Sequence, residues 1–205
     1  MPGKLYFDFI AKLQQTMLTL SYVLIILLSA ALEYAPIYFS GEVTQFLFEL
    51  SLFAVFLVMI IRPLADLLPT NPWIRPLVIL RKGFGVFSAS IILSFVFAHI
   101  LTDGIGYLSH YLMPQHWSLL DLQFLGPVSD LTAFVLLITS NQYSKRVLGK
   151  NWKRIQKLAY VYFAAGALYE FLFLSNYTAL FYLLVAAGLG TAAFLVKRVR
   201  VPAVV

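Results

Sequence analysis

The sequence predicts an all-α integral membrane protein: a single-domain, six-transmembrane-helix bundle with both termini cytoplasmic. Three observations carry this reading. Of 205 residues, 61% are hydrophobic and 12% charged, and the mean hydropathy is +0.85. Soluble domains carry about 25% charged residues, so lipid must be the solvent for most of this chain. Six apolar segments reach or approach the length of about 20 residues that a helix needs to cross a bilayer. Finally, the basic residues crowd into alternate connections between these segments.

The first apolar segment covers residues 15–36. Its apolar stretch is long for a signal peptide, so it reads as an uncleaved first helix. The second covers 44–64 and runs into "IRPLADLL". The third covers 84–103, entered through "RKGFG" and closed by "FAHILTDG". The fourth, 124–141, is interrupted at its start by Gly126, Pro127 and Asp130, and its clean core, "LTAFVLLITS", is short. The fifth and sixth cover 155–174 and 177–196. "AAGAL" and "AAGLGTAA" give these last two the small residues that let helices pack closely in lipid. The long connection is 104–123. Within it Tyr111 and Trp117 read as interfacial anchors, and "HWSLLDLQFLG" as a short amphipathic segment lying along the surface.

The 15 Lys and Arg residues set the orientation. Lys4 and Lys12 precede span one. Arg62, Arg75, Arg81 and Lys82 lie between spans two and three. Lys145, Arg146, Lys150, Lys153, Arg154 and Lys157 lie between four and five, and Lys197, Arg198 and Arg200 follow six. The other three connections contain none. The positive-inside rule places both ends of the chain in the cytoplasm. The basic residues are thus topology signals and lipid-headgroup partners, and nucleic acid is not an expected partner. Cysteine is absent, which excludes iron–sulfur clusters and thiol chemistry.

Helix rise, about 1.5 Å per residue, then fixes depth. Glu49, His99, Asp130 and Glu170 fall in the outer half of the membrane. Glu33, Glu42, Asp103, Asp121, His110 and His116 lie further out. A charged carboxylate at the bilayer centre costs roughly 2.5–3.5 kcal/mol on insertion scales, and less near an interface. No Lys or Arg is available on that side. The acids are therefore expected to be protonated, hydrated, bound to a cation or hydrogen-bonded to His99. His99, Glu49 and Glu170 make a candidate outer-side metal cluster. The bland alternative keeps the acids wet at the interface and makes His99 a structural histidine bonded to a neighbouring helix.

The segment "ITSNQYSKRVLGKNWKRIQKLAYVYFAAGALYEFLFL", residues 138–174, resembles the ferric-reductase-like transmembrane family, nearest the haem-binding membrane subunit of the periplasmic methionine sulfoxide reductase system. The likeness rests on Thr139-Ser140 at the end of span four, then Leu148-Gly149 and Trp152. "RKGFG" and "IRPLADLL" extend it loosely over about residues 50–195. The resemblance implies a six-helix bundle in the bacterial inner membrane that holds b-type haem between helices. It also implies electrons received from a flavin protein, so that flavin sits on a partner. His99 would be the span-three haem ligand. Where the family has histidines on span five, this sequence has Gln156 and Tyr169. Tyrosinate ligates haem in some proteins; glutamine is a poor ligand.

Three readings follow. One is an electron-transfer component with a divergent haem b on His99. Another is a cofactor-poor derivative acting as an accessory or structural subunit of a membrane complex with a protein partner; any flavin or nicotinamide chemistry would come from a separate protein, docking through the cytoplasmic loops around 65–82 and 143–157. The third is a small proton-linked transporter, although no broken mid-membrane helix or inverted repeat of the kind transporters carry is evident.

Overall fold

A computed structural model describes residues 3–118 and 122–200, excluding the side chains of residues 105, 110, 115, 116 and 200. Ten helices follow one another: α1 Lys4–Tyr34, α2 Gly41–Leu67, α3 Ile74–Leu77, α4 Arg81–Asp103, α5 Ile105–His110, α6 Leu125–Thr139, α7 Gln142–Leu148, α8 Lys150–Ile155, α9 Leu158–Leu174 and α10 Tyr177–Arg200. No strand occurs among the described residues.

Five stretches are helical, long and apolar enough to cross a membrane: Lys4–Tyr34, Gly41–Leu67, Ile74–Asp103, Lys150–Leu174 and Tyr177–Val199. α6 is shorter. Large apolar side chains such as Leu20, Ile26, Phe46, Phe181, Leu184 and Phe194 are exposed along these helices. An apolar exterior of that extent marks contact with lipid. The chain is an all-α protein with the apolar helices of an integral membrane protein.

The sequence-read boundaries fall close to these helices, except that α1 starts at Lys4 rather than near residue 15. The added turns mix apolar residues (Leu5, Phe7, Phe9, Ile10, Leu13) with Lys4, Asp8 and Lys12, and good helix formers such as Leu, Ala and Lys carry the helix through them. The start of the fifth segment is divided: the basic stretch forms α7 and α8 before α9 begins. Asn141 caps α7 by accepting from the Ser144 amide at 2.7 Å. Gly149, at φ +50°, makes the left-handed turn between α7 and α8. Gly104, at φ +59°, does the same where α4 ends, whereas Gly106 lies inside α5. The proposed surface segment around "HWSLLDLQFLG" includes residues 119–121, which lie outside the described residues, as does Asp121. A 3₁₀ turn, Pro114–Trp117, takes in its first two residues.

α4 is the centre of the packing. It contacts α1, α2 and α6, while α9 contacts α6, α10 and α2. α1 runs parallel to α4: a Cβ on Gly83 would come within 3.3 Å of Met17 Cβ, and Thr102 donates a hydrogen bond to Glu33 further along. α2 runs antiparallel to α4, for Phe48 stacks on Phe95 at one level and Arg81 Nε donates to the Val58 carbonyl at 2.9 Å at another. α6 runs antiparallel to α9. Gly126 faces Tyr169 at one end of the pair, and Gln156 Nε2 donates to Thr139 Oγ1 at 3.2 Å at the other. The pair therefore stays together over about 20 Å.

The core explains why these helices sit so close. Ala89, Ala133, Ala167 and Ala179 are almost wholly buried beside Leu52, Phe56 and Leu93. Small side chains permit the close backbone approach that drives helix association in lipid. "AAGAL" on α9 serves this purpose, since a Cβ at Gly166 would lie 3.3 Å from Ser129 Oγ. "AAGLGTAA" on α10 differs: a Cβ at Gly188 or Gly190 would meet nothing within 4 Å.

Candidate functional site

Two polar features interrupt the apolar bundle. One is a buried knot of hydroxyls in the middle. Ser51 on α2, Ser88 on α4 and Tyr162 on α9 point at each other. Tyr162 Oη lies 2.7 Å from Ser88 Oγ and 3.3 Å from Ser51 Oγ, and the serine oxygens are 3.0 Å apart. Ser51 also reaches the Ser88 carbonyl at 3.1 Å. All three residues are buried, so lipid and water are excluded and each hydroxyl finds its partner inside the knot. A small cavity of about 20 Å³ adjoins it, lined in part by Ser51, Ser129, Tyr162 and Glu170. That is roughly room for one water molecule among polar groups.

The other is an open cleft of about 390 Å³ beside α6 and α9, at the end of the bundle where α4 stops. Its walls include Tyr107 from α5, Tyr111 just after it, Asp130 from α6, and Tyr169 and Phe173 from α9. Tyr111 Oη donates to Asp130 Oδ2 at 2.9 Å and lies 3.3 Å from Tyr107 Oη. Trp117 Nε1 donates to the Tyr111 carbonyl at 2.7 Å, which fixes the connection over the cleft. Gly126 lets the helices close beneath it, because a Cβ there would press on the Tyr169 ring at 3.3 Å. Burial pushes the Tyr107 hydroxyl above its ordinary range. Tyr111 is pushed further up, first by burial and then by the neighbouring Asp130 carboxylate. Both stay protonated and able to donate.

The residues singled out from the sequence are distributed across this framework. The His99 ring stacks on Tyr107, with centroids 5.0 Å apart and planes 15° from parallel. It is exposed and is not part of the cleft lining. Glu49 accepts from Gln45 Nε2 at 3.0 Å on the same helix. Glu170, only 6% exposed, accepts from Asn176 Nδ2 at 2.9 Å across the turn into α10. Glu33 accepts from Thr102. Neutral donors thus meet these acids, a solution the charge pattern did not suggest. Among the described residues, no three His, Asp or Glu side chains gather where they could hold a metal ion. His110 lies at the end of α5 and His116 in the 3₁₀ turn, but their side chains lie outside the described residues.

The candidate haem ligands do not converge. Tyr169 covers Gly126 and packs on Phe173, with centroids 5.0 Å apart. Gln156 caps α8 just before α9 starts, bonded to Thr139. Trp152 Nε1 joins it by donating to the Thr139 carbonyl at 2.9 Å. His99 stacks on Tyr107. Tyr169 and Gln156 stand at opposite ends of the α6–α9 pair, so the three do not fit one iron.

No family model matches the chain, and no solved structure matches it.

The "SNQYSK" and "NWKR" segments thus make a local clasp: the Thr139 carbonyl and hydroxyl take the Trp152 and Gln156 donors, while Lys145 Nζ lies 5.4 Å from the centre of the Trp152 ring. The hydroxyl knot and the aromatic cleft were missed in the sequence. Ser51 and Ser88, polar residues inside apolar spans, are a signal for the knot, though Ser90 and Ser94 share the span with Ser88. Tyr107 and Tyr111, four residues apart near Asp130 only in space, offered no equivalent signal for the cleft.

Proposed function

We propose that this chain is a six-span, ferric-reductase-like membrane protein without a haem of its own, serving as an accessory subunit of a membrane complex. The observation that carries the proposal is the Ser51–Ser88–Tyr162 knot. It fills the meeting point of α2, α4 and α9 with mutually bonded hydroxyls, leaving a void of about 20 Å³ beside them. A flat macrocycle between helices would need that space open and an imidazole turned towards it.

The crossing added to the five long helices is α6, the fourth span, supported by its contacts with α9 and the turn before it, from Gly126–Tyr169 to Thr139–Gln156. Six crossings, with the basic residues in alternate connections, leave both termini on the cytoplasmic side. The α10 face around Gly188 and Gly190, with no side chain against it, suits a partner helix. Electron transfer with haem on His99 is the competing reading.

The deciding experiment is an absorption spectrum of the full chain purified in detergent from haem-replete cells. A colourless protein that co-purifies with a stable membrane partner is expected. A Soret band that disappears in His99→Ala would overturn the proposal and restore the redox reading. Reporter fusions at the two termini test the topology, and opposite-side signals would remove the sixth crossing.

A further inference from the structure

We infer that the cleft beside α6 and α9 is a binding site for a small organic cation of the alkylammonium class. This inference does not rest on the absence of haem.

Shape and lining point the same way. The cleft, at about 390 Å³, falls within the range of small-molecule sites, roughly 300–1,000 Å³. Four aromatic rings, Tyr107, Tyr111, Tyr169 and Phe173, contribute to its walls. Aromatic faces carry negative quadrupole charge and attract cations, most effectively where water is scarce. Among the described lining residues, Asp130 is the one carboxylate and none is Lys, Arg or His. The carboxylate has a neutral donor in Tyr111, which orients it without cancelling its charge.

The wider charge distribution selects the same ligand. Every Lys and Arg lies in or beside the connections at the opposite end of the bundle, while Glu33, Glu49, Asp103 and Glu170 share the cleft's end. Such a field draws cations and repels anions. A bare divalent ion is poorly served, because it requires several hard oxygen ligands and the described lining residues supply one carboxylate. An alkylammonium needs one carboxylate and aromatic faces, which is what the walls provide. The cation can come from a free amine or from the trimethylammonium of a lipid headgroup; the recognition chemistry is the same.

The test is equilibrium dialysis of the full chain in phospholipid-free micelles, using radiolabelled tetramethylammonium at constant ionic strength. Saturable binding of one equivalent per chain is expected, weakened about tenfold or more by Asp130→Asn. Saturation-transfer NMR on the unmodified protein provides a measurement independent of any variant's folding: the probe's methyl protons should exchange magnetisation with tyrosine ring protons. Competition by a short-chain phosphatidylcholine assigns the site to a lipid headgroup, and its absence assigns it to a soluble ammonium. Non-saturable binding, binding unchanged in a folded Asp130→Asn protein, or no transfer to the tyrosine rings would overturn the inference.

Discussion

The Tyr111 hydroxyl holds Asp130 Oδ2 at 2.9 Å, joining the connection after α5 to the first turns of α6. Tyr111→Phe keeps the ring and removes the donor. The expected loss is about 1 kcal/mol, in the range of side-chain hydrogen bonds in membrane bundles. Reversible unfolding in mixed micelles measures it. The same substitution in an Asp130→Leu background should cost less, because the acceptor is gone.

Tyr107 and Tyr111 make the fold sensitive to strong alkali. Their folded-state pKa values lie above the unfolded value of 10.0, so folded protein retains protons that unfolded chain has lost. The stability they contribute is complete below pH 10.0 and declines as pH rises from there through the folded values. Absorbance of tyrosinate, followed against pH, should show these groups ionising late and together with loss of helix. In Tyr107→Phe/Tyr111→Phe the decline should be shallower.

The hydroxyl knot should behave as one unit. Tyr162→Phe and Ser88→Ala each remove one side of the 2.7 Å bond. Either change alone should cost about 1 kcal/mol, and the pair less than the sum by about 0.5 kcal/mol or more, as for residues in one network. Additive losses in a double-mutant cycle would show these two hydroxyls to be independent.

Two glycines should respond in opposite ways to the same change. Gly126→Leu drives a side chain against Tyr169, whose ring is already 3.3 Å from a bare Cβ, and should cost about 1–3 kcal/mol. Gly188→Leu meets nothing within 4 Å and should leave the isolated chain within about 0.5 kcal/mol of the original. If α10 docks a partner there, Gly188→Leu should reduce co-purification without lowering the chain's own stability.

How far the sequence could be read follows from which forces leave a linear trace. Apolar run length and basic connections are local, so the long helices stood out, and the turn at Gly104 was marked by its glycine. α1 extends past the apolar run because Lys4, Asp8, Lys12, Gln14 and Gln15 break the hydropathy of its first turns without breaking the helix. Contacts between distant positions leave no such trace. Tyr162 meets Ser51 and Ser88 from 111 and 74 residues away, and Asp130 meets Tyr111 from 19. The acids were noticed as charges in lipid, but their partners, Asn176, Gln45, Thr102 and Tyr111, are ordinary polar residues whose role depends on placement.

The turn between α9 and α10 has a consequence for biogenesis. Ser175, at φ +53°, and Asn176 alone separate the two helices, and Asn176 holds Glu170 through its side chain and the Glu170 carbonyl through its amide. Such a short corner favours these segments leaving the translocon as one hairpin, so Glu170 would enter the hydrocarbon already attached to a donor carried by the same hairpin. The acid would then never cross the bilayer bare, and the cost of delivering it would be met by a residue synthesised six positions later.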